Sequence, residues 1–239
     1  MGLNYGAAHL VNPLRRMANP FDNVRWIFFD VGYTLLDETA AWQDAFGRIA
    51  ATLQARGRRI DADEIWHTFN DVCREFEPLQ WLGLCRRIGI DEAEAKRLAD
   101  GYQHALEVPH PGAADVLRQL SGRYKLGVIA NQSLGTAQRL QHHGMRQYID
   151  LVIGSAEAGV RKPDPKIFQM ALQQAGATPA EAVMVGDRID NDVRPANELG
   201  WRTIHVRQGG GALQLPRSAV ERPTVAVDGV GDVAGLFSV

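Results

Sequence analysis

Cysteine is nearly absent. The 239-residue chain has two, Cys73 and Cys85. They lack metal-ligand spacing and do not suggest a disulfide scaffold, so a reducing cytoplasm is the expected setting. Long apolar runs are missing as well. No stretch approaches the roughly 20 residues of a membrane-spanning helix, and no membrane role is expected. Residues 1–23 contain Gly, Asn, Pro and the pair Arg15-Arg16 without an apolar core. They read as a loose extension that packs on the body or frays, not as a secretory signal. An excess of one charge is lacking too. Lys plus Arg number 26 against 28 Asp plus Glu, a net charge of −2. This gives no electrostatic case for nucleic acid or an anionic membrane. The densest basic cluster, Arg56, Arg58 and Arg59, reads as a solvated helix end. No Lys-Ser/Thr follows Gly209, Gly210 and Gly211, which excludes a phosphate-cradling P-loop and leaves a flexible connector as the expectation.

What is present suits one large α/β domain, or a core with a smaller insertion; the 45% hydrophobic content can fill a sizeable core. The run Trp26-Ile27-Phe28-Phe29 ends abruptly at Asp30, followed by Gly32 and Thr34. This predicts a buried strand over about 24–29 that delivers a carboxylate to its C-terminal tip, with Gly32 permitting a sharp turn. From 38 to 108 helical spacing takes over, as in Ala41, Ala45, Ile49 and Leu53, or Ile65, Phe69, Val72 and Phe76. From 109 onward strands and helices alternate. Strands are expected near 124–130, 151–153, 182–185, 202–206 and 224–227. Helices are expected near 111–120, 135–143, 164–176 and 193–199. Repeated β–α alternation means parallel strands with right-handed crossovers. The expected fold is therefore a doubly wound, Rossmann-like parallel sheet with an inserted small helical domain. The predicted parts are an extension (1–23), a core (24–37 and 109–239) and the insertion (38–108).

Ligands in such sheets bind beyond the carboxyl ends of the strands. The strand ends supply Asp30, then Asn131, Gln132 and Ser133, then Gly154 and Ser155 leading to Lys162, then Asp187, Asp190, Asn191 and Asp192. Crowded carboxylates call for a cation, and an all-oxygen set without His or Cys favours Mg²⁺ over Zn²⁺. A lysine beside them suits a phosphoryl group, and a carboxylate can attack phosphorus.

Asp30-x-Gly32-Tyr33-Thr34, Val128-Ile129-Ala130-Asn131, Lys162-Pro163-Asp164-Pro165 and Gly186-Asp187-x₃-Asn191-Asp192 resemble, in order and spacing, the four signature motifs of the haloacid dehalogenase superfamily. The helical insertion resembles that superfamily's C1-type cap. The resemblance implies that Asp30 is the nucleophile and a Mg²⁺ ligand. The backbone carbonyl of Gly32 and the carboxylate of Asp187 would complete the inner ligands, with Asp192 orienting metal-bound water. Lys162 would neutralise the nucleophile and the phosphoryl oxygens, Asn131 would sit beside the phosphate, and Thr34 would steady the first loop. The flap would map onto residues 33–38. It further implies a phosphatase acting on a small phosphorylated metabolite through an aspartyl phosphate.

Two positions depart from the phosphatase pattern. Gly32 stands where aspartate acts as general acid, and Ala130 stands where a hydroxyl residue precedes the asparagine. Losing a general acid costs about 10²–10⁴-fold in rate. Two other readings stay open: a 2-haloacid dehalogenase-like enzyme, and a catalytically impaired binding or regulatory protein on the same fold. His110 reads as a hinge residue. Of Trp42, Trp66 and Trp81, at least two are expected to be core packing. Monomer and homodimer are equally compatible with the sequence.

Overall fold

The computed structural model describes residues 19–237. The apolar run before Asp30 forms β1 (Trp26–Phe29). A two-residue strand β2 (Leu36–Asp37) leads into four helices, α1 (Thr39–Gln54), α2 (Ala62–Arg74), α3 (Gln80–Arg87) and α4 (Glu92–Ala99). Strand β3 (Val108–Pro109) returns antiparallel to β2, pairing Leu36 with Pro109 and Asp37 with Val108. The alternating part follows: α5 (Ala113–Leu120), β4 (Lys125–Ala130), α6 (Thr136–His142), β5 (Leu151–Gly154), α7 (Ser155–Ala158), α8 (Pro165–Ala175), β6 (Ala182–Gly186), α9 (Arg194–Glu198), β7 (Arg202–Val206) and β8 (Val225–Val227). Six strands form one parallel sheet in the order β5-β4-β1-β6-β7-β8. This is the expected doubly wound α/β core.

The period-2 geometry of β1 sorts its side chains between two layers. Ile27 and Phe29 join the cluster built with Val116, Leu117 and Leu120 of α5 and with Val230 and Val233. Phe28 joins the opposite cluster, with Ile167 and Phe168 of α8 and Trp201. Both faces of β1 are therefore covered, as a central parallel strand requires. Gly127 of β4 lies in register with Phe28, and a Cβ at Gly127 would overlap the Phe28 ring. The glycine thus makes room for the Phe28 ring.

Helices α1 to α4 enclose a separate apolar cluster that includes Phe46, Ile49, Ile65, Phe69, Leu84 and Ala95. Asp61 opens α2 with a reciprocal capping box to Glu64, and Asp91 caps α4. Trp42, Trp66 and Trp81 pack against this cluster. No helix among the described residues is long and apolar enough to cross a membrane.

Several boundaries differ from the expected ones. Helix α5 starts at Ala113, not Pro111, because Gly112 takes a left-handed φ of 81° and sits against Gly231. A wide π-helical turn, Ile189–Val193, precedes α9 and carries Asp190, Asn191 and Asp192, all buried. The connector expected at Gly209, Gly210 and Gly211 is instead a packed 3₁₀ turn, Gly209–Leu213, with Gly210 and Gly211 buried. Close approach, rather than looseness, explains its glycines. A Cβ on Gly210 would lie 2.7 Å from Cys73 Sγ, and one on Gly211 would overlap the Asp187 carbonyl. The expected extension lies outside the described residues up to position 18. Its last part packs on the core, with the Phe21 ring tilted against Phe237 at 5.0 Å between centroids.

Overpacking the Gly127–Phe28 contact tests the sheet register. Gly127→Val should destabilise by about 1–3 kcal/mol, a fall in Tm of roughly 3–9 °C for a chain of this size. An unchanged Tm in thermal unfolding would contradict that packing.

Candidate functional site

The first loop is tied to a single carbonyl. The N–H groups of Thr34, Leu35 and Leu36 all donate to Val31 O, at 3.2, 2.9 and 2.9 Å. Tyr33 accordingly takes a positive φ of 52°. The Asp30 N–H donates to Val185 O at 2.9 Å, so the sheet holds the backbone up to the carboxylate. The loop thus leaves the sheet at Asp30 and turns sharply, as expected, but Tyr33 rather than Gly32 takes the left-handed conformation.

Lys162 is buried and sits between two acids, its Nζ 2.7 Å from Asp30 Oδ1 and 2.6 Å from Asp192 Oδ1. Burial works against the ammonium charge, but Asp192 and Asp30 outweigh it and raise the lysine pKa. Asn131 holds this lysine from behind. Its Nδ2 donates to Lys162 O and its Oδ1 accepts from Lys162 N, both at 2.8 Å. The asparagine lines the cavity, yet its amide is engaged in placing the lysine loop. The second oxygen of Asp192 accepts from the Arg188 N–H at 3.0 Å.

Asp187 follows β6 and is buried. Thr34 Oγ1 lies 3.4 Å from its Oδ1, and His205 Nε2 lies 2.7 Å from its backbone carbonyl. Carboxylate oxygens of Asp30, Asp187 and Asp192 all lie within 4.8 Å of one another. Burial, then the charges of Asp30 and Asp192, push the Asp187 pKa well up. Burial also raises Asp192 to about 6, against the pull of Lys162. One lysine cannot neutralise three carboxylates. The surplus negative charge and the hard oxygen donors fit a hard divalent cation. Asp190 stands apart, engaged by Arg188 Nε at 3.0 Å and Gln214 Nε2 at 2.8 Å.

These residues form one wall of a cavity of about 290 Å³. Trp42, Phe69, Leu79 and Trp81 from the helical insertion form the facing wall, and the turn with Gly210 and Gly211 closes one side. The cavity is thus charged below and aromatic above.

A family model described as a haloacid dehalogenase-like hydrolase matches residues 24–200. The chain belongs to that family. A glyceraldehyde 3-phosphate phosphatase of Methanopyrus kandleri is 30% identical over 218 residues, covering 86% of this chain and 93% of that protein. The pyrimidine 5′-nucleotidase YjjG of Escherichia coli is 29% identical, covering 77% and 88%. A solved structure of a predicted phosphoglycolate phosphatase from Haemophilus somnus has a TM-score of 0.71 at 18% identity, covering 90% and 98%. That last likeness concerns the fold. The chain is a haloacid dehalogenase-like hydrolase whose relatives carry phosphatase names.

Of the site residues implied by the resemblance, Asp30, Gly32, Asn131, Lys162 and Asp187 line the cavity, while Thr34 and Asp192 touch residues that do. Ser133, one of the strand-end residues, bonds His104 Nε2 at 2.9 Å and does not line the cavity. Sequence reasoning named Gln132 among the strand-end residues without a role, but passed over Arg188, Gln214 and, except as the end of the flap, Glu38. Burial, then the charge of Glu107, push the Glu38 pKa up to about 7. No period or motif marks these residues, because tertiary contact alone brings them to the cavity.

The carboxylate crowd has a measurable consequence. A carboxyl with a raised folded pKa holds its proton in the folded state after the unfolded chain has released it. Its ionisation therefore reduces stability as pH rises from about 4 toward the folded pKa. Asp187→Asn should raise the Tm of the metal-free protein at neutral pH. The gain should vanish near pH 4. Thermal unfolding in a chelator at both pH values checks it, and a lower Tm at neutral pH would contradict the charge argument.

Proposed function

We propose that the protein is a Mg²⁺-dependent phosphatase that hydrolyses a small phosphorylated metabolite through an aspartyl phosphate at Asp30. The carrying observation is Lys162 placed between Asp30 and Asp192 at the floor of a cavity into which Asp30 projects. The names of the two curated relatives, a triose-phosphate phosphatase and a nucleotidase, support a phosphate monoester of modest size.

Asp30, Asp187 and the carbonyl of Gly32 would hold the cation, with Asp192 behind them. When bound, Mg²⁺ supplies positive charge to the oxygens of the transferring phosphoryl group. Asp30 attacks phosphorus in line, so a P–O bond to its carboxylate forms while the P–O bond to the leaving oxygen breaks. Lys162 orients the Asp30 carboxylate and offsets charge on the transferring oxygens. Water then attacks the aspartyl phosphate, releasing inorganic phosphate and regenerating Asp30. Asn131 positions Lys162, and Thr34 steadies the loop against Asp187. The four-helix insertion acts as the cap whose aromatic wall selects the substrate's organic part. A reducing cytoplasm suits the two free, buried thiols of Cys73 and Cys85.

Hydrolysis of p-nitrophenyl phosphate should require Mg²⁺, fall to background in a chelator and return on adding the metal. Asp30→Asn should lose at least about 10³-fold. Mg²⁺ should raise the Tm of the wild type but not of Asp187→Asn. Equal rates with metal, without metal and in the Asp30 variant would defeat the proposal.

A further inference from the structure

The reaction proposed above needs a proton for the leaving oxygen, and the loop residue two positions after Asp30 has no side chain to give one. The groups lining the cavity narrow the choice of donor. Lys162 is bound to two carboxylates. Arg161 and Arg188 carry guanidinium groups, which do not release protons at neutral pH. Asp30 and Asp187 belong to the carboxylate cluster. The buried thiol of Cys73 is engaged by Gln80 Nε2 at 3.0 Å and pressed against Gly210. Glu38 remains, with the phenol of Tyr33 as its competitor.

The position of Glu38 is specific. A Cβ built on Gly32 would lie 2.5 Å from Glu38 Oε1, 2.8 Å from its Cδ and 3.0 Å from its Oε2. The whole carboxyl group therefore fills the space that a side chain at position 32 would occupy. Two neutral donors aim it. Gln132 Nε2 donates to Oε1 at 3.0 Å, and Trp42 Nε1 donates to Oε2 at 3.2 Å. Gln132, Trp42 and Glu38 line the same cavity as Asp30. Among the described residues no lysine or arginine pairs with Glu38, so the group is not held as half of an ion pair. Tyr33 is placed worse. Its hydroxyl is buried without a hydrogen-bond partner, and its ring packs against Gly209.

We infer that Glu38 is the proton donor of this site, a carboxyl brought from just beyond β2 into the place left by Gly32. The inference rests on the phosphatase reading. As Asp30 forms its bond to phosphorus, the Glu38 carboxyl passes its proton to the departing alkoxide, which leaves as an alcohol. In the second step the Glu38 carboxylate takes a proton from the attacking water. The carboxyl group is thereby restored, and phosphate leaves.

The test compares two leaving groups in the Mg²⁺-loaded enzyme. p-Nitrophenolate departs without a proton, whereas the alkoxide of glycerol phosphate does not. Glu38→Gln keeps the size of the side chain and removes the acid. Its kcat/KM for glycerol phosphate should fall about 10²–10⁴-fold, with at most about a tenfold fall for p-nitrophenyl phosphate. The retained aryl activity also shows that the variant is folded. Tyr33→Phe should affect both substrates alike or neither. Equal losses on the two substrates in Glu38→Gln, no loss on either, or a selective loss in Tyr33→Phe instead would overturn the assignment. Failure of the underlying phosphatase reading would look different: Asp30→Asn would then retain wild-type rates on both substrates.

Discussion

One buried lysine facing three carboxylates is the constraint on which the site depends. Lys162 reaches Asp30 and Asp192 directly, while Asp187 stands in the same crowd without a cation of its own. Burying uncompensated charge is expensive, so such a cluster persists only where the surroundings impose it. The backbone supplies that imposition. The parallel sheet brings the ends of β1, β4 and β6 side by side, and Asn131 clamps the lysine from both sides of its peptide. Stability is given up locally, and the sheet's doubly covered core offsets it.

The legible part of the fold was the part with a period. The apolar run before Asp30, the β–α alternation after position 109 and the helical spacing between 38 and 108 each follow from burial acting on local geometry. Strand ends were legible for the same reason, because a buried strand must stop where charge begins. The glycine turn at Gly209–Leu213 was not. Glycine before a strandless segment suggests looseness, and only the fold reveals Cys73 and the Asp187 carbonyl pressed against it. Gln214 was hidden in the same way. It bonds Cys73 O, Ile189 N and Asp190 Oδ1, and so joins α2 to the loop after β6.

Gly32 shows where reading a motif one position at a time runs out. Taken alone, it marks a missing acid. In three dimensions, a side chain there and the Glu38 carboxyl as it is placed would compete for the same space. Chemical function can move between positions when the space it occupies is conserved in the fold but not in the chain. The absence of a carboxylate at position 32 is therefore weak grounds for calling such a site impaired.

The two carboxyl groups assigned to chemistry enter from opposite sides of β2. Asp30 is fixed by β1, whereas Glu38 follows β2 immediately and precedes α1, the first helix of the insertion. Its orientation draws on both bodies, since Gln132 belongs to the core and Trp42 to α1. A small displacement of α1 would shift the Glu38 carboxyl relative to Asp30 while leaving Lys162 in place. With Asp30 held by β1 and Glu38 held by Trp42 of the aromatic wall, the proposed reaction links contact with that wall to the placing of the acid. Binding of the organic part and chemistry at phosphorus are then coupled through a single residue.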